Sequence, residues 1–257
     1  MWEGSEKVGR THAPCGVDDA PKNDASHFDY SVKIQRMELS AVEPLSVYTK
    51  EGDRASSFLG SGFFIRSGWV ATCEHVVRNA PAGHTLVVQH PQLDIAWISQ
   101  EVRCHPRHDV AFIRLDMKCN HLPLIELPPV PGLEVFSKGL HDELILDGKA
   151  HVKMRLLRGH ITSVMDDPDR RRTRRPYLEL SYPILCGFSG SAVIVEVDNA
   201  GYGIYGMGFG NAEQHIIVEH EVQRENGSER KVLRIVEFGI AHSISTLVNA
   251  MKELNVT

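Results

Sequence analysis

About a dozen short runs rich in β-branched and aromatic residues, set against a single helix-like segment, restrict this 257-residue chain to an all-β architecture. The runs include LSVYT, SGFFI, WVATCE, TLVVQH, DIAWIS, DVAFIRL, HVKMRLL, GHITSV, YLELSY, SAVIVEV, YGIYGMGF, HIIVEHEV and VLRIVEFGIA. Clusters of Gly, Pro, Asn and Asp separate most of them, supplying the turns an antiparallel arrangement requires. Only residues 243–254 follow a helical period, with Ile244, Leu247, Val248, Met251 and Leu254 on one face. A proline-rich break, LPPVPG at 127–132, divides the strands into two groups. The expectation is two packed six-stranded antiparallel β-barrels, the first over about 31–126 and the second over about 132–242, closed by a C-terminal α-helix at 243–254. Residues 1–28 are poor in apolar side chains and read as a flexible leader, because they cannot offset their ordering entropy.

Charge and cysteine usage narrow the class of partner and the compartment. A net charge of −5 argues against a general nucleic-acid or anionic-membrane surface. The N-terminus lacks a signal-type apolar run, and no stretch reaches the roughly 18 apolar residues of a spanning helix. Cys15, Cys73, Cys104, Cys119 and Cys186 are odd in number and scattered, which suits free thiols in a reducing compartment. The chain is therefore expected to be soluble, cytoplasmic and without contact to a membrane.

The stretch CGFSGSA holds Ser189 between Gly187 and Gly190. By itself this is a glycine turn between strands. Serine becomes a nucleophile at neutral pH only with a base to take its proton and a third group to orient that base. His75, in WVATCEHVV, stands where an apolar strand ends, and Asp109 opens DVAFIRL after the polar run CHPRH. Each has an ordinary reading too, as a structural histidine and as a turn residue at a strand edge.

Taken together, the three strings are far more specific. VATCEHVV resembles the histidine segment of trypsin-like peptidases, DVAFIRL their aspartate segment and GFSGSAV their nucleophile segment, in the same order along the chain. The likeness extends over roughly residues 45–254 and is closest in pattern to bacterial trypsin-like and HtrA-type protease domains without a PDZ module. It implies a chymotrypsin-like fold and a serine endopeptidase working through an acyl-enzyme on a protein or peptide substrate, with no metal and no cofactor. His75 would be the general base, Asp109 its orienting partner and Ser189 the nucleophile, with the N–H groups of Gly187 and Ser189 as the oxyanion hole. The rival reading is a catalytically silent scaffold of the same fold that binds peptides or proteins.

Several positions depart from that pattern. Phe188 stands where secreted relatives carry an Asp that receives a newly cut N-terminus, so activation by clipping is not expected. The substrate pocket implied by the resemblance involves Pro183 and the strand Gly206, Met207, Gly208 and Phe209, none of them acidic, which points to a small or apolar residue before the cleaved bond. The Arg-rich run at 170–175 reads as a solvated loop. Its sharper reading is a contact for an acidic partner or nucleic acid, or a switch by which an activating protein orders the nucleophile turn. Cys104, His105 and His108 read as a loop presenting Asp109 rather than a metal site, and Cys186 as a buried thiol.

Overall fold

The structure is a computed structural model that describes residues 43–52, 54–91, 95–146, 149–165, 177–197, 201–222 and 229–257. The leader at 1–28, Cys15 and the Arg-rich run at 170–175 lie outside the described residues. The described residues form thirteen strands and two helices: β1 (Leu45–Glu51), β2 (Arg54–Arg66), β3 (Trp69–Thr72), α1 (Glu74–Arg78), β4 (Thr85–His90), β5 (Ile95–Ile98), β6 (Glu101–Cys104), β7 (Ala111–Arg114), β8 (Glu134–Leu146), β9 (Lys149–Met165), β10 (Tyr177–Leu180), β11 (Ala192–Val197), β12 (Gly201–Val222), β13 (Glu229–Ser243) and α2 (Ile244–Glu253). Among the described residues, no helix is long and apolar enough to cross a membrane.

The all-β expectation, with two antiparallel sheets and a terminal helix, describes the chain. The second sheet is a closed six-stranded barrel in the order β10-β13-β12-β11-β8-β9. The first differs by one strand, running β5-β4-β1-β2-β3-β7-β6 without closing. Its long central strand explains the arrangement: β2 pairs with β1 over Arg54–Gly62 and with β3 over Phe63–Arg66, so one strand serves both halves of the sheet. The changeover falls at Gly62, where a Cβ would stand 2.8 Å from Val70 Cγ1 and 3.0 Å from the Ala71 carbonyl.

Two apolar clusters hold the molecule together. The first gathers Leu45, Val47, Phe63, Val70, Phe112 and Ile113 from the open sheet and continues into Ile194, Ile204 and Met207 of the barrel. The helical face read from the sequence docks here: Ile244, Leu247, Val248 and Met251 of α2 are buried and Leu254 is half-buried. Each fully buried side chain of this kind contributes roughly 1.5–3 kcal/mol before entropy is counted. Arg103 secures the end of that helix, donating to the Leu254 and Asn255 carbonyls at 2.7 and 2.6 Å while lying 4.9 Å over the Trp69 ring. The second cluster, within the barrel, packs Val135, Ile161, Leu178, Leu180, Tyr182, Ile184, Phe188, Val193 and Tyr205.

Candidate active site

His75 is carried on α1, a helix of five residues that the sequence reading had merged into a strand end. The β-branched run favours extension, but tertiary contacts decide otherwise. Strand β3 is buried at every position, Cys73 stays extended as the N-cap, and Val76 is fully buried beside Gly60. Such a short helix would not persist alone and depends on this packing. It leaves the His75 side chain 39% exposed at the lip of the cleft.

Asp109 reaches His75 through both carboxylate oxygens. The backbone N–H of His75 donates to Oδ1 at 2.8 Å, and Nδ1 lies 2.6 Å from Oδ2. An ionised carboxylate only accepts, so Nδ1 carries the proton and Nε2 is left as the basic nitrogen. Burial is the largest influence on the Asp109 carboxyl and pushes its pKa up. The two hydrogen bonds from His75 lead the opposing influences, with the neighbouring His75 and His242 rings adding to them, and hold the carboxyl below its ordinary value.

The loop before Asp109 is built around His105. Its Nδ1 accepts the N–H groups of Arg107 and His108 at 3.2 and 3.1 Å, which obliges Nε2 to donate to Glu253 of α2 at 3.0 Å. Both ring nitrogens of His105 are thus engaged within the protein, in keeping with a loop that presents Asp109. Among the described residues, the donor atoms that converge as metal ligands would are those of Cys73, His75 and Asp109. This group is the His–Asp pair together with a buried thiol, which hydrogen-bonds the Gly208 carbonyl at 3.4 Å. Behind Asp109, His242 is buried and stacks on Phe209 at 4.3 Å. Burial pushes its pKa down to about 3 against the pull of Asp109, so the ring is neutral at physiological pH.

Ser189 sits in a turn that crosses from the barrel to the open sheet. Gly187 and Gly190 adopt φ of +84° and +89°, values that side chains disfavour. A Cβ on Gly190 would collide with the Ser61 carbonyl and stand 2.6 Å from Thr72 Oγ1, so glycine is required there on two counts. Ser61 of β2 fastens the turn. Its N–H donates to the Ser189 carbonyl at 2.9 Å and its hydroxyl to the Gly187 carbonyl at 2.7 Å, while the Ser61 carbonyl accepts from Thr72 Oγ1 at 2.8 Å. Phe188 N–H closes the turn on the Leu185 carbonyl at 2.9 Å, and the Phe188 ring is fully buried. Among the described residues, no hydrogen bond joins Ser189 Oγ to His75, and the N–H groups of Gly187 and Ser189 donate to no protein acceptor. Catalytic hydrogen bonds of this kind often tighten only around a substrate.

The residues expected to line the pocket separate into two groups. Gly208 adjoins the Ser189 turn, its carbonyl accepting Gly190 N–H at 2.9 Å and its N–H donating to the Ser191 carbonyl at 3.0 Å. Pro183 and Phe209 are half-buried, Phe209 directly following Gly208 in sequence. Gly206 instead packs against β13, where a Cβ would meet the His242 carbonyl at 2.5 Å, and Met207 is fully buried in the first core cluster. Sequence reading missed Ile184, whose Cδ1 would lie 2.6 Å from a Cβ on Gly208 and 3.4 Å from one on Gly239. Asn211 fixes Ile184, accepting its N–H at 2.6 Å and donating to its carbonyl at 3.0 Å. Cys186, expected to be buried, is exposed. The inward position next to Gly187 belongs to Phe188, which turns its neighbour out.

An open sheet and a closed barrel, with a His–Asp pair on one and a glycine-flanked serine on the other, define a hydrolase of the chymotrypsin fold. The chain belongs to the trypsin-like peptidase family, whose model, described as "Trypsin-like peptidase domain", matches residues 60–204, and it is a serine peptidase. Its fold is similar to that of the active form of the Rv3671c protease from M. tuberculosis, at 15% identity and a TM-score of 0.57 over 95% of this chain and 94% of that one. An inactive mutant form of Rv3671c gives 16% identity and 0.55, over 94% and 98% of the two chains. The HtrA-type protease AlgW with a decapeptide gives 18% and 0.55, over 86% of this chain and 67% of that one. No curated protein sequence matches the chain.

Proposed function

We propose that the chain is a serine endopeptidase with His75, Asp109 and Ser189 as its triad. Ser189 Oγ attacks the scissile carbonyl as its proton passes to His75 Nε2, and the N–H groups of Gly187 and Ser189 receive the oxyanion. Collapse of the tetrahedral adduct breaks the C–N bond, and the amine departs with the proton held by His75. Water then enters, loses its proton to His75 and releases the acyl group from Ser189 as a carboxylate. The observation that carries this reading is the two-oxygen grip of Asp109 on His75, which fixes the ring and its tautomer before any substrate arrives.

The substrate is a protein or peptide with a small residue before the cleaved bond. Ile184 supports that choice, because its side chain fills the space between Gly208 and Gly239. The four described cysteines are free thiols, which supports a reducing, intracellular setting. The turn around Ser189 is held from within by Ser61 and Phe188, so we place its activity on the chain itself rather than on an effector at the Arg-rich run. A fluorophosphonate probe tests the reading: labelling of Ser189 that disappears in Ser189→Ala is expected. Absence of labelling in the intact wild-type chain would leave a silent scaffold of the same fold.

A further inference from the structure

We infer that His141 is a positioning residue that holds the oxyanion hole open. The inference rests on the peptidase reading of Ser189 and adds a residue that neither the triad nor the sequence motifs contain. His141 Nδ1 lies 2.8 Å from the carbonyl oxygen of Cys186. That oxygen can only accept, so the ring carries a proton on Nδ1 and donates it.

The peptide linking Cys186 to Gly187 is a rigid plane with its oxygen and its N–H on opposite edges. Fixing the oxygen towards β8 therefore aims the Gly187 N–H the other way, into the cleft. Among the described residues, no other hydrogen bond holds this peptide. The Cys186 side chain is exposed, and glycine at 187 leaves the plane free to rotate at little steric cost. Ser61 and the Phe188 N–H fasten the neighbouring carbonyls of Gly187 and Leu185, not that of Cys186. Without His141, rotation of this plane would replace a donor in the hole by a carbonyl oxygen, which repels the charge that develops there.

The anchor stands on firm ground. His141 follows Gly139 and the fully buried Leu140 on β8, whose backbone pairs it with Lys153 of β9.

The test compares wild type, His141→Ala and His141→Asn, with Ser189→Ala as the blank. Asn places an amide N–H near the position of Nδ1, so it retains the anchor. His141→Ala is expected to lower kcat by about tenfold or more with KM changed by less than roughly threefold, and to weaken a peptide aldehyde inhibitor in parallel, because its oxyanion occupies the same hole. His141→Asn should restore most of both. Unchanged kcat in His141→Ala, or equal losses in the Ala and Asn variants, overturns the assignment. Crystal structures in the Ser189→Ala background read the peptide directly, and a Cys186 carbonyl still facing β8 in His141→Ala would also overturn it. Failure of wild-type Ser189 to take a fluorophosphonate label would sink the peptidase reading itself, an outcome distinct from a labelled enzyme that ignores residue 141.

Discussion

The ring of Phe188 occupies the space that a side chain at residue 139 would need. A Cβ on Gly139 would stand 2.6 Å from Phe188 Cδ1 and 2.7 Å from Cγ, and the ring is fully buried in the barrel core. The turn that carries Ser189 is thereby anchored by apolar packing. Gly139→Ala should displace the ring, lower stability by about 1–3 kcal/mol and reduce kcat by a larger factor than it changes KM. Urea unfolding and steady-state kinetics on one preparation check both, and an unchanged kcat would separate the turn from this packing.

On the proposed reading, Ile184 limits the depth of the pocket for the residue before the cleaved bond, because its side chain lies against Gly208 and Gly239. Ile184→Ala should shift the preferred residue before the cleaved bond from small to large apolar, with kcat/KM for a Leu or Phe substrate rising relative to an Ala substrate by about tenfold or more. Profiling with a peptide library reads this directly. Retention of the small preference would place the pocket wall elsewhere.

His242 makes stability depend on pH. Its folded pKa, pushed down to about 3 mainly by burial, lies below the ordinary value of 6.5, so the unfolded chain binds one proton more between those limits. Stability therefore falls on acidification through that window, by at most about 1.4 kcal/mol per pH unit from this group. His242→Phe keeps a ring against Phe209 and should flatten the slope between about pH 6.5 and 4.5, above the range in which Asp109 contributes. Urea midpoints across that interval provide the measurement, and an unchanged slope would assign it to other groups.

Among the described thiols, Cys104 and Cys186 are exposed, but desolvation pushes the Cys104 pKa up, so Cys186 should alkylate first in the native protein and Cys73 last. Burial removes Cys73 from solvent and pushes its pKa well up, with Asp109 acting in the same direction. Modification of Cys186 should slow turnover, since its peptide supplies the Gly187 N–H. Mass spectrometry after graded iodoacetamide treatment gives the order.

The family and the pairing of His75 with Asp109 were legible because the strings that carry them are short and local in character. What surrounds them was not. Ser61 meets the Gly187 carbonyl across 126 positions of sequence, and His141 reaches Cys186 across 45. Nothing in GSGFF or KGLHD announces such a partner. Strand β8 escaped notice because Val135, Phe136 and Ser137 are buried consecutively, so the run lacks the alternation that marks a strand with one wet face. Helix α1 was hidden by its own β-branched residues, which packing overrules. Cys186 is exposed, against expectation, because the inward position of the turn is taken by the Phe188 ring.

Ser61 belongs to the open sheet, yet its N–H and hydroxyl hold the nucleophile turn of the barrel while its hydroxyl also accepts Leu140 N–H at 3.0 Å. One residue is thus both a rivet between the two halves and part of the mount for Ser189. Any breathing that parts the halves must dismantle the turn first, so proteolysis falls silent before either core melts. Turnover is consequently a sensitive gauge of whether the two halves are docked.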